Sequence, residues 1–119
     1  MLNRMPTISA KLLRYLRNIS LRETDLQQEL RQITNKLPEA GWEVSPEQAQ
    51  FLALLVQITG AKYVLELGTF TGHSSLAMGL ALPIDGKLIT CDMEPKYTNI
   101  AEEFWIKAGI HQKIELRLG

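Results

Sequence analysis

The fold is decided by the stretch Val64-Leu65-Glu66-Leu67-Gly68-Thr69-Phe70-Thr71-Gly72-His73-Ser74-Ser75. Its apolar beginning predicts a strand from Tyr63 to Leu67, of the kind that is buried on both faces of a parallel sheet. The two glycines predict a tight turn that leads directly into a helix beginning at His73 or Ser74. A second acidic residue, Asp92, ends the next apolar run. An acid at the end of each strand, with a glycine turn between, predicts a pocket for a nucleoside-containing cofactor.

Before this stretch, the sequence predicts three helices. Apolar residues recur at helical spacing from Ile8 to Ile19 and again from Leu26 to Leu37. Ser20-Leu21-Arg22-Glu23 has the spacing of a capping box and predicts the start of the second helix. Ser45-Pro46-Glu47-Gln48 predicts the start of a third helix, which continues until Gly60.

After this stretch, two further strands are predicted, from Lys87 to Asp92 and from Ile114 to Leu118. A helix from Pro95 to Ala108 separates them, and Gly109 is placed to cap its end. Connections of this length join parallel strands, so the predicted fold class is α/β, a Rossmann-like parallel sheet with helices on its faces. Residues 1–42 form an N-terminal helical segment, and residues 43–119 form the part of the α/β domain with its first three strands.

Composition excludes several classes of function. Lys and Arg together number 13, as do Asp and Glu, so the net charge is zero and we expect no nucleic-acid partner. The single cysteine, Cys91, excludes an internal disulfide and predicts a reduced thiol in the core. Met1 to Lys11 lacks a signal-peptide core, and no apolar run approaches the ~18 residues of a membrane span. We therefore expect no membrane association and a cytoplasmic location.

The residues of the glycine turn distinguish between classes of nucleotide. A dinucleotide site needs Gly-x-Gly-x-x-Gly, but Phe70 occupies the middle position and would block the pyrophosphate. Glu66 would repel phosphate and can accept hydrogen bonds from an ammonium or a hydroxyl group. The helix that begins near Ser74 directs free N–H groups toward the same space, which favours a carboxylate or a phosphate. S-adenosylmethionine has an ammonium, hydroxyls and a sulfonium cation that tolerates nearby acids, so the residues favour this methyl donor.

Several of these residues have alternative interpretations. Asp92 follows Gly72 by 20 residues, where it can accept from both ribose hydroxyls, although it could instead cap the helix at Pro95. Glu66 could be a stray strand-end acid, although a carboxylate in so apolar a run needs a partner. His73 is interpreted as a local residue of the helix start rather than a catalytic one. Two aromatic residues, Trp42 and Phe70, either stack on a ligand ring or fill the core, and the sequence leaves this open.

The chain resembles the cation-dependent O-methyltransferases of the caffeoyl-CoA and catechol type, particularly their small bacterial members. The resemblance covers nearly all 119 residues, and its matching segments are Leu21-Arg22-Glu23, Leu37-Pro38, Val44 to Leu52, Glu66 to Ser74 and Gly86 to Asp92. It implies the methyltransferase version of the Rossmann-like fold. It also implies S-adenosylmethionine as the cofactor and a small hydroxylated aromatic molecule, phenolic or catechol-like, as the methyl acceptor.

The resemblance implies a cofactor role for six positions. Glu66 and the backbone of Gly68 and Thr69 would hold the methionine end and the neighbouring ribose. Ser74 would bind the methionine carboxylate, and Asp92 would take the ribose hydroxyls. The remaining position, just before the third helix, would line the same pocket and is Val44.

This sequence departs from the family in four ways. Trp42 replaces a usual methionine, Ala49 a usual glycine and His73 a usual tyrosine. Family members are also roughly twice as long. Their later half supplies an Asp-Ala-Asp-Lys segment and an Asp-Asn pair that hold a divalent metal such as magnesium. Neither occurs in these 119 residues, so we expect the chain to be the N-terminal half of such an enzyme, with no metal ligands and no identified catalytic residue.

With only three strands, one edge of Tyr63 to Leu67 is expected to be apolar and unpaired, since the family places this strand in the middle of the sheet. Such an edge needs covering by dimerisation, by strand swapping or by a missing segment, and we expect a homodimer. The leading hypothesis is an O-methyltransferase of which this chain carries the cofactor-binding half. The alternative is a non-catalytic cofactor-binding or dimerisation module. A nicotinamide oxidoreductase is disfavoured by Phe70 and Glu66.

Overall fold

The computed structural model describes residues 7–119 and forms five α-helices, two short 3₁₀ helices and three strands there. Residues 1–6, which make up most of the Met1 to Lys11 segment that lacks a signal-peptide core, lie outside the described residues. In chain order the elements are α1 (Ala10–Ser20), α2 (Asp25–Thr34), a 3₁₀ helix (Ala40–Trp42), α3 (Pro46–Thr59), β1 (Tyr63–Leu67), α4 (His73–Ala81), β2 (Lys87–Asp92), α5 (Pro95–Lys107), a 3₁₀ helix (His111–Lys113) and β3 (Ile114–Leu118).

The three strands form one parallel sheet in the order β1-β2-β3. Leu65 pairs with Ile89, and Ile89 pairs in turn with Glu115. The predicted α/β class, with parallel strands and flanking helices, is confirmed. Within residues 7–119, β1 has a neighbour on one side only, as expected from the three-strand count.

The helices cover one face of this sheet. Both crossovers step in the same direction across the sheet, and such connections are right-handed, so α4 and α5 fall on the same face. The core therefore forms between these helices and the alternate strand residues, with Leu88 fully buried. The opposite side of β1 is open in the described residues: Tyr63 is 80% exposed, Leu65 67% and Leu67 80%. The prediction that this strand is buried on both faces is wrong for residues 7–119.

Cys91 lies on the same open side of the sheet. It is a free thiol, but it is half-buried rather than in the core. The reason is the alternation along β2, in which Leu88 and Thr90 are buried beneath the helices and Cys91 faces away from them.

The second helix begins later than the sequence predicted. Thr24 is its N-cap and forms a reciprocal capping box with Gln27, whereas Ser20 is the last residue of α1. The cause is tertiary, because the side chain of Gln50 accepts from the backbone N–H of Arg22 and donates to the carbonyl of Ser20. These two bonds, both 2.8 Å long, hold the intervening backbone out of the helix.

The signals around the third helix are confirmed. The Ser45 hydroxyl accepts from the backbone N–H of Gln48, Pro46 is the first helical residue, and Gly60 ends the helix in the left-handed conformation at φ 62°. Among residues 7–119, none of the helices combines the length and apolar character that crossing a membrane requires.

Candidate functional site

Two neighbouring cavities, which share lining residues, lie at the carboxyl ends of the strands. The larger, of about 760 Å³, is lined by Leu67, Gly68, Asp92 and residues that follow them. The smaller, of about 40 Å³, is lined by four of the predicted site residues, Val44, Gly68, Thr69 and Ser74. Gly68 and Trp42 line both cavities. Five of the six predicted site residues therefore surround one space, and the sixth, Glu66, contacts it through Ser74.

The two glycines of the turn have different surroundings. Both have left-handed backbone, with φ 95° at Gly68 and φ 87° at Gly72. A Cβ on Gly68 would meet nothing within 4 Å, so this residue leaves its side of the cavity open. A Cβ on Gly72 would lie 2.5 Å from the Cβ of Ala101 in α5. Gly68 thus gives a ligand close access, whereas Gly72 allows the loop to pack on a helix.

Asp92 anchors the glycine turn. One of its oxygens, Oδ2, accepts from the backbone N–H groups of Thr69 (2.8 Å) and Phe70 (2.7 Å). The other, Oδ1, accepts from Met93 (2.7 Å) and Glu94 (3.0 Å). Burial raises the pKa of Asp92, but the four donors outweigh it, and the pKa lies below its ordinary value. The carboxylate is therefore charged and has a partner at each of its roughly four acceptor positions.

Both oxygens of Glu66 have a donor within the protein. It accepts from the hydroxyl of Ser74 at 2.6 Å and from that of Thr90 at 2.7 Å, one on each oxygen. Burial raises the pKa of Glu66 above its ordinary value, against the opposing effect of these two donors. A carboxylate in so apolar a strand needs hydrogen-bond partners, and the hydroxyls of Ser74 and Thr90 supply them.

Glu43 lines the smaller cavity together with His73, although no pattern in the sequence singles it out. The Glu43 side chain is 8% exposed and that of His73 is 2% exposed. Among residues 7–119, Oε1 of Glu43 and both ring nitrogens of His73 have no hydrogen-bond partner, and Oε1 lies 3.9 Å from Nδ1. Burial raises the pKa of Glu43 to about 7 and lowers that of His73 to about 4. His73 lies at the helix start, where a local role was predicted.

Three aromatic rings form one wall of the site. The Phe70 and Tyr97 rings are 4.8 Å apart, and the Trp42 ring lies 5.7 Å from Phe70 and 6.1 Å from Tyr97. Trp42 is 69% exposed, so it does not fill the core. Phe70 is half-buried and has a positive φ of 50°. The hydrogen bond from its N–H to Asp92 helps to hold this conformation. Tyr97 is buried and was not singled out from the sequence.

The divalent metal that the resemblance implies has no fitting donor set in the described part of the chain. Within residues 7–119, no three His, Cys, Asp or Glu side chains are grouped so that they could hold a metal ion.

Comparison with known proteins gives consistent matches. A family model described as O-methyltransferase matches residues 17–119. The chain is 40% identical over 114 residues to catechol O-methyltransferase domain-containing protein 1 of Mus musculus, covering 96% of this chain and 44% of that protein. It is 44% identical over 89 residues to the catechol O-methyltransferase of Niastella koreensis, covering 72% and 40% respectively.

Solved structures agree with these matches. The O-methyltransferase TomG from Streptomyces achromogenes, crystallised with S-adenosylmethionine, superposes with a TM-score of 0.80 at 31% identity. The match covers 88% of this chain and 47% of that one. An O-methyltransferase from Bacillus cereus, crystallised with S-adenosylhomocysteine, gives a TM-score of 0.78 at 30% identity over 89% and 48%. The chain spans less than half the length of each of these four proteins.

Proposed function

The chain belongs to the O-methyltransferase family, and from this premise we propose that it carries the S-adenosylmethionine-binding half of a methyltransferase. The methyl acceptor would be a hydroxyl of a small phenolic or catechol-like molecule. The observation that carries the proposal is the pair of neighbouring cavities at the carboxyl ends of β1 and β2. Their walls include an open glycine, a helix start and an acid at the end of the second strand. Cofactors approach parallel sheets at these carboxyl ends of the strands.

The donor groups around the cavities fit the parts of this cofactor. The first turn of α4 has no side-chain cap, so its backbone N–H groups, including that of Ser74, can receive the methionine carboxylate. The Ser74 hydroxyl already donates its one hydrogen to Glu66. Val44 and the backbone of Gly68 and Thr69 would enclose the methionine end. When bound, S-adenosylmethionine supplies an electrophilic methyl group on a sulfonium cation. The chain's part is to bind and orient that group.

Asp92 is proposed to accept from the ribose hydroxyls, and its present contacts set a condition on that role. Its four acceptor positions already hold four backbone N–H groups. A bound ribose must therefore take the place of some of these donors. The N–H groups of Met93 and Glu94 donate to Asp92 at its exposed end. If they lose Asp92 as an acceptor, water can accept from them instead. We therefore expect the ribose hydroxyls to displace these two N–H groups.

Titration calorimetry with S-adenosylmethionine tests the proposal. We expect the chain to bind the cofactor, and we expect Asp92→Ala to weaken binding by at least about tenfold, since hydrogen bonds to a charged group are lost. Asp85→Ala is the matched control, because this exposed aspartate pairs with Lys62 at the opposite end of β2. Absence of binding by the unaltered chain at any accessible concentration would contradict the proposal.

Turnover is a separate expectation. The metal-binding segments of the family occur nowhere in these 119 residues, so we expect no methyl transfer to catechol by this chain alone, even with magnesium. A radiolabelled methyl group transferred above the level of a heat-inactivated control would refute that expectation.

A second function, dimerisation through the N-terminal helices, is favoured by α1. No residue of this helix is buried, and its apolar side chains Leu12, Tyr15 and Ile19 are exposed. We propose a homodimer in which this stripe is covered by a second copy. Sedimentation velocity should show dissociation in Ile19→Lys but not in Asn18→Lys, which adds the same charge beside the stripe. The expected cytoplasmic location also remains a proposal, to be tested by fractionating the source cells.

A further inference from the structure

Oε1 of Glu43 is buried and has no hydrogen-bond donor in the described part of the chain. Leaving a buried carboxylate oxygen without a partner costs free energy, so native proteins rarely do so unless a ligand or water supplies the donor. The nearby cation, Arg31, is already engaged, because its guanidinium donates two hydrogen bonds to Glu23 at 2.7 and 2.6 Å. His73 is neutral in the neutral pH range and lies 3.9 Å away, beyond hydrogen-bond distance. The Thr34 hydroxyl is close enough to Glu43 to oppose the rise in its pKa, but its own hydrogen bonds are with Leu30 and Thr71. No side chain among residues 7–119 therefore satisfies Oε1.

The wall in which Glu43 lies indicates what the missing donor is. The cavity beside it, of about 40 Å³, exceeds the ~10–15 Å³ that a water-sized group needs, so one ammonium group fits. Its other walls include Val44, Thr69 and Ser74, which are the residues proposed to enclose the methionine end. The other carboxylate near this end, Glu66, is already occupied by two hydroxyl donors.

We propose that Glu43 binds the α-ammonium group of the cofactor's methionine moiety, at the end of the cofactor where the family resemblance placed Glu66. The inference rests on the proposed function, since it assumes a cofactor with an amino-acid end. It assigns the two acids different parts. Glu66 holds the Ser74 hydroxyl at the start of α4. Oε1 of Glu43 has no donor among residues 7–119, and it can accept from the ammonium group once the carboxyl, with its pKa of about 7, is deprotonated.

The test compares two ligands that differ in the amino-acid end. S-adenosylhomocysteine has the α-ammonium group, and 5′-methylthioadenosine is a thioether of the same nucleoside without any amino-acid part. We expect Glu43→Gln to weaken binding of S-adenosylhomocysteine by roughly 10- to 150-fold, as for loss of a hydrogen bond between charged groups. The affinity for 5′-methylthioadenosine should stay within about twofold of the unaltered chain.

Glu47→Gln is the matched control. Glu47 is four residues further along, is paired with Arg17, and does not line the smaller cavity, so both affinities should be unchanged. Equal weakening of both ligands by Glu43→Gln, or no weakening of either, would overturn the inference while leaving the proposed function intact. If the unaltered chain binds neither ligand, the proposed function fails, and the inference fails with it.

Discussion

Removing Glu43 or His73 is expected to change the slope of the free energy of unfolding against pH, and the two changes should have opposite signs. Burial raises the pKa of Glu43 from 4.5 to about 7 and lowers that of His73 from 6.5 to about 4. Between pH 4.5 and 6.5 the unfolded chain therefore holds one proton on His73, whereas the folded chain holds it on Glu43. Folding moves the proton from one residue to the other, and the total number of bound protons stays the same.

The sign of each contribution follows from its pKa shift. The stability that Glu43 contributes is present below pH 4.5 and is lost as the pH rises through about 7. The contribution of His73 is present above pH 6.5 and is lost as the pH falls through about 4. A difference of one proton changes the free energy of unfolding by ~1.4 kcal/mol per pH unit. Together the two residues add almost no slope between pH 4.5 and 6.5.

Single substitutions should expose the two slopes. Relative to the unaltered chain, the free energy of unfolding should rise with pH in Glu43→Gln and fall with pH in His73→Gln, each by up to ~1.4 kcal/mol per unit. The double variant should again be flat. Urea unfolding at pH 4.5, 5.5 and 6.5, followed by circular dichroism, measures these free energies. Slopes of the same sign in the two single variants would refute the reasoning.

Three further predictions follow from the site. Gly72→Ala should lower the free energy of unfolding by ~3 kcal/mol or more, because the new Cβ would overlap Ala101. Gly68→Ala should lower it by only ~1–2 kcal/mol, the cost of a left-handed backbone with a side chain. Equal losses in urea unfolding would contradict this. Asp92→Ala should lower the free energy of unfolding by ~1–3 kcal/mol, since two half-buried N–H groups of the turn lose their acceptor, and a stability unchanged in urea would show that water replaces it. Cofactor binding should change the fluorescence of exposed Trp42, so a binding signal that persists in Trp42→Phe would mean that buried Trp105 reports instead.

Much of the fold could be predicted because its signals are local. The bounds of β2 and β3 are those expected from the apolar runs, and α3 begins and ends at the predicted cap and glycine. Where two local signals compete, the sequence does not decide between them. Ser20 and Thr24 each begin a capping-box pattern, and the contacts of Gln50 with the segment between them select Thr24.

The candidate site was predictable in its position and not in its contacts. Strand ends and the glycine turn located five lining residues, because parallel strands bring their carboxyl ends to one edge. The sequence also identified Asp92 and Glu66 as acids in unusual places. It could not identify Glu43, which follows a 3₁₀ helix in an ordinary polar segment and is buried only when α2, α4 and that segment meet.

The three acids of the site differ in what each can still accept, and this difference decides which of them can bind a ligand. Asp92 holds four backbone N–H groups, Glu66 holds two hydroxyls, and Oε1 of Glu43 holds nothing. A ligand donor gains least where it must displace an existing donor and most where a buried acceptor is unpaired. An acid's position in the sequence is therefore a weaker guide to ligand binding than its remaining hydrogen-bonding capacity, which depends on side chains from distant parts of the chain.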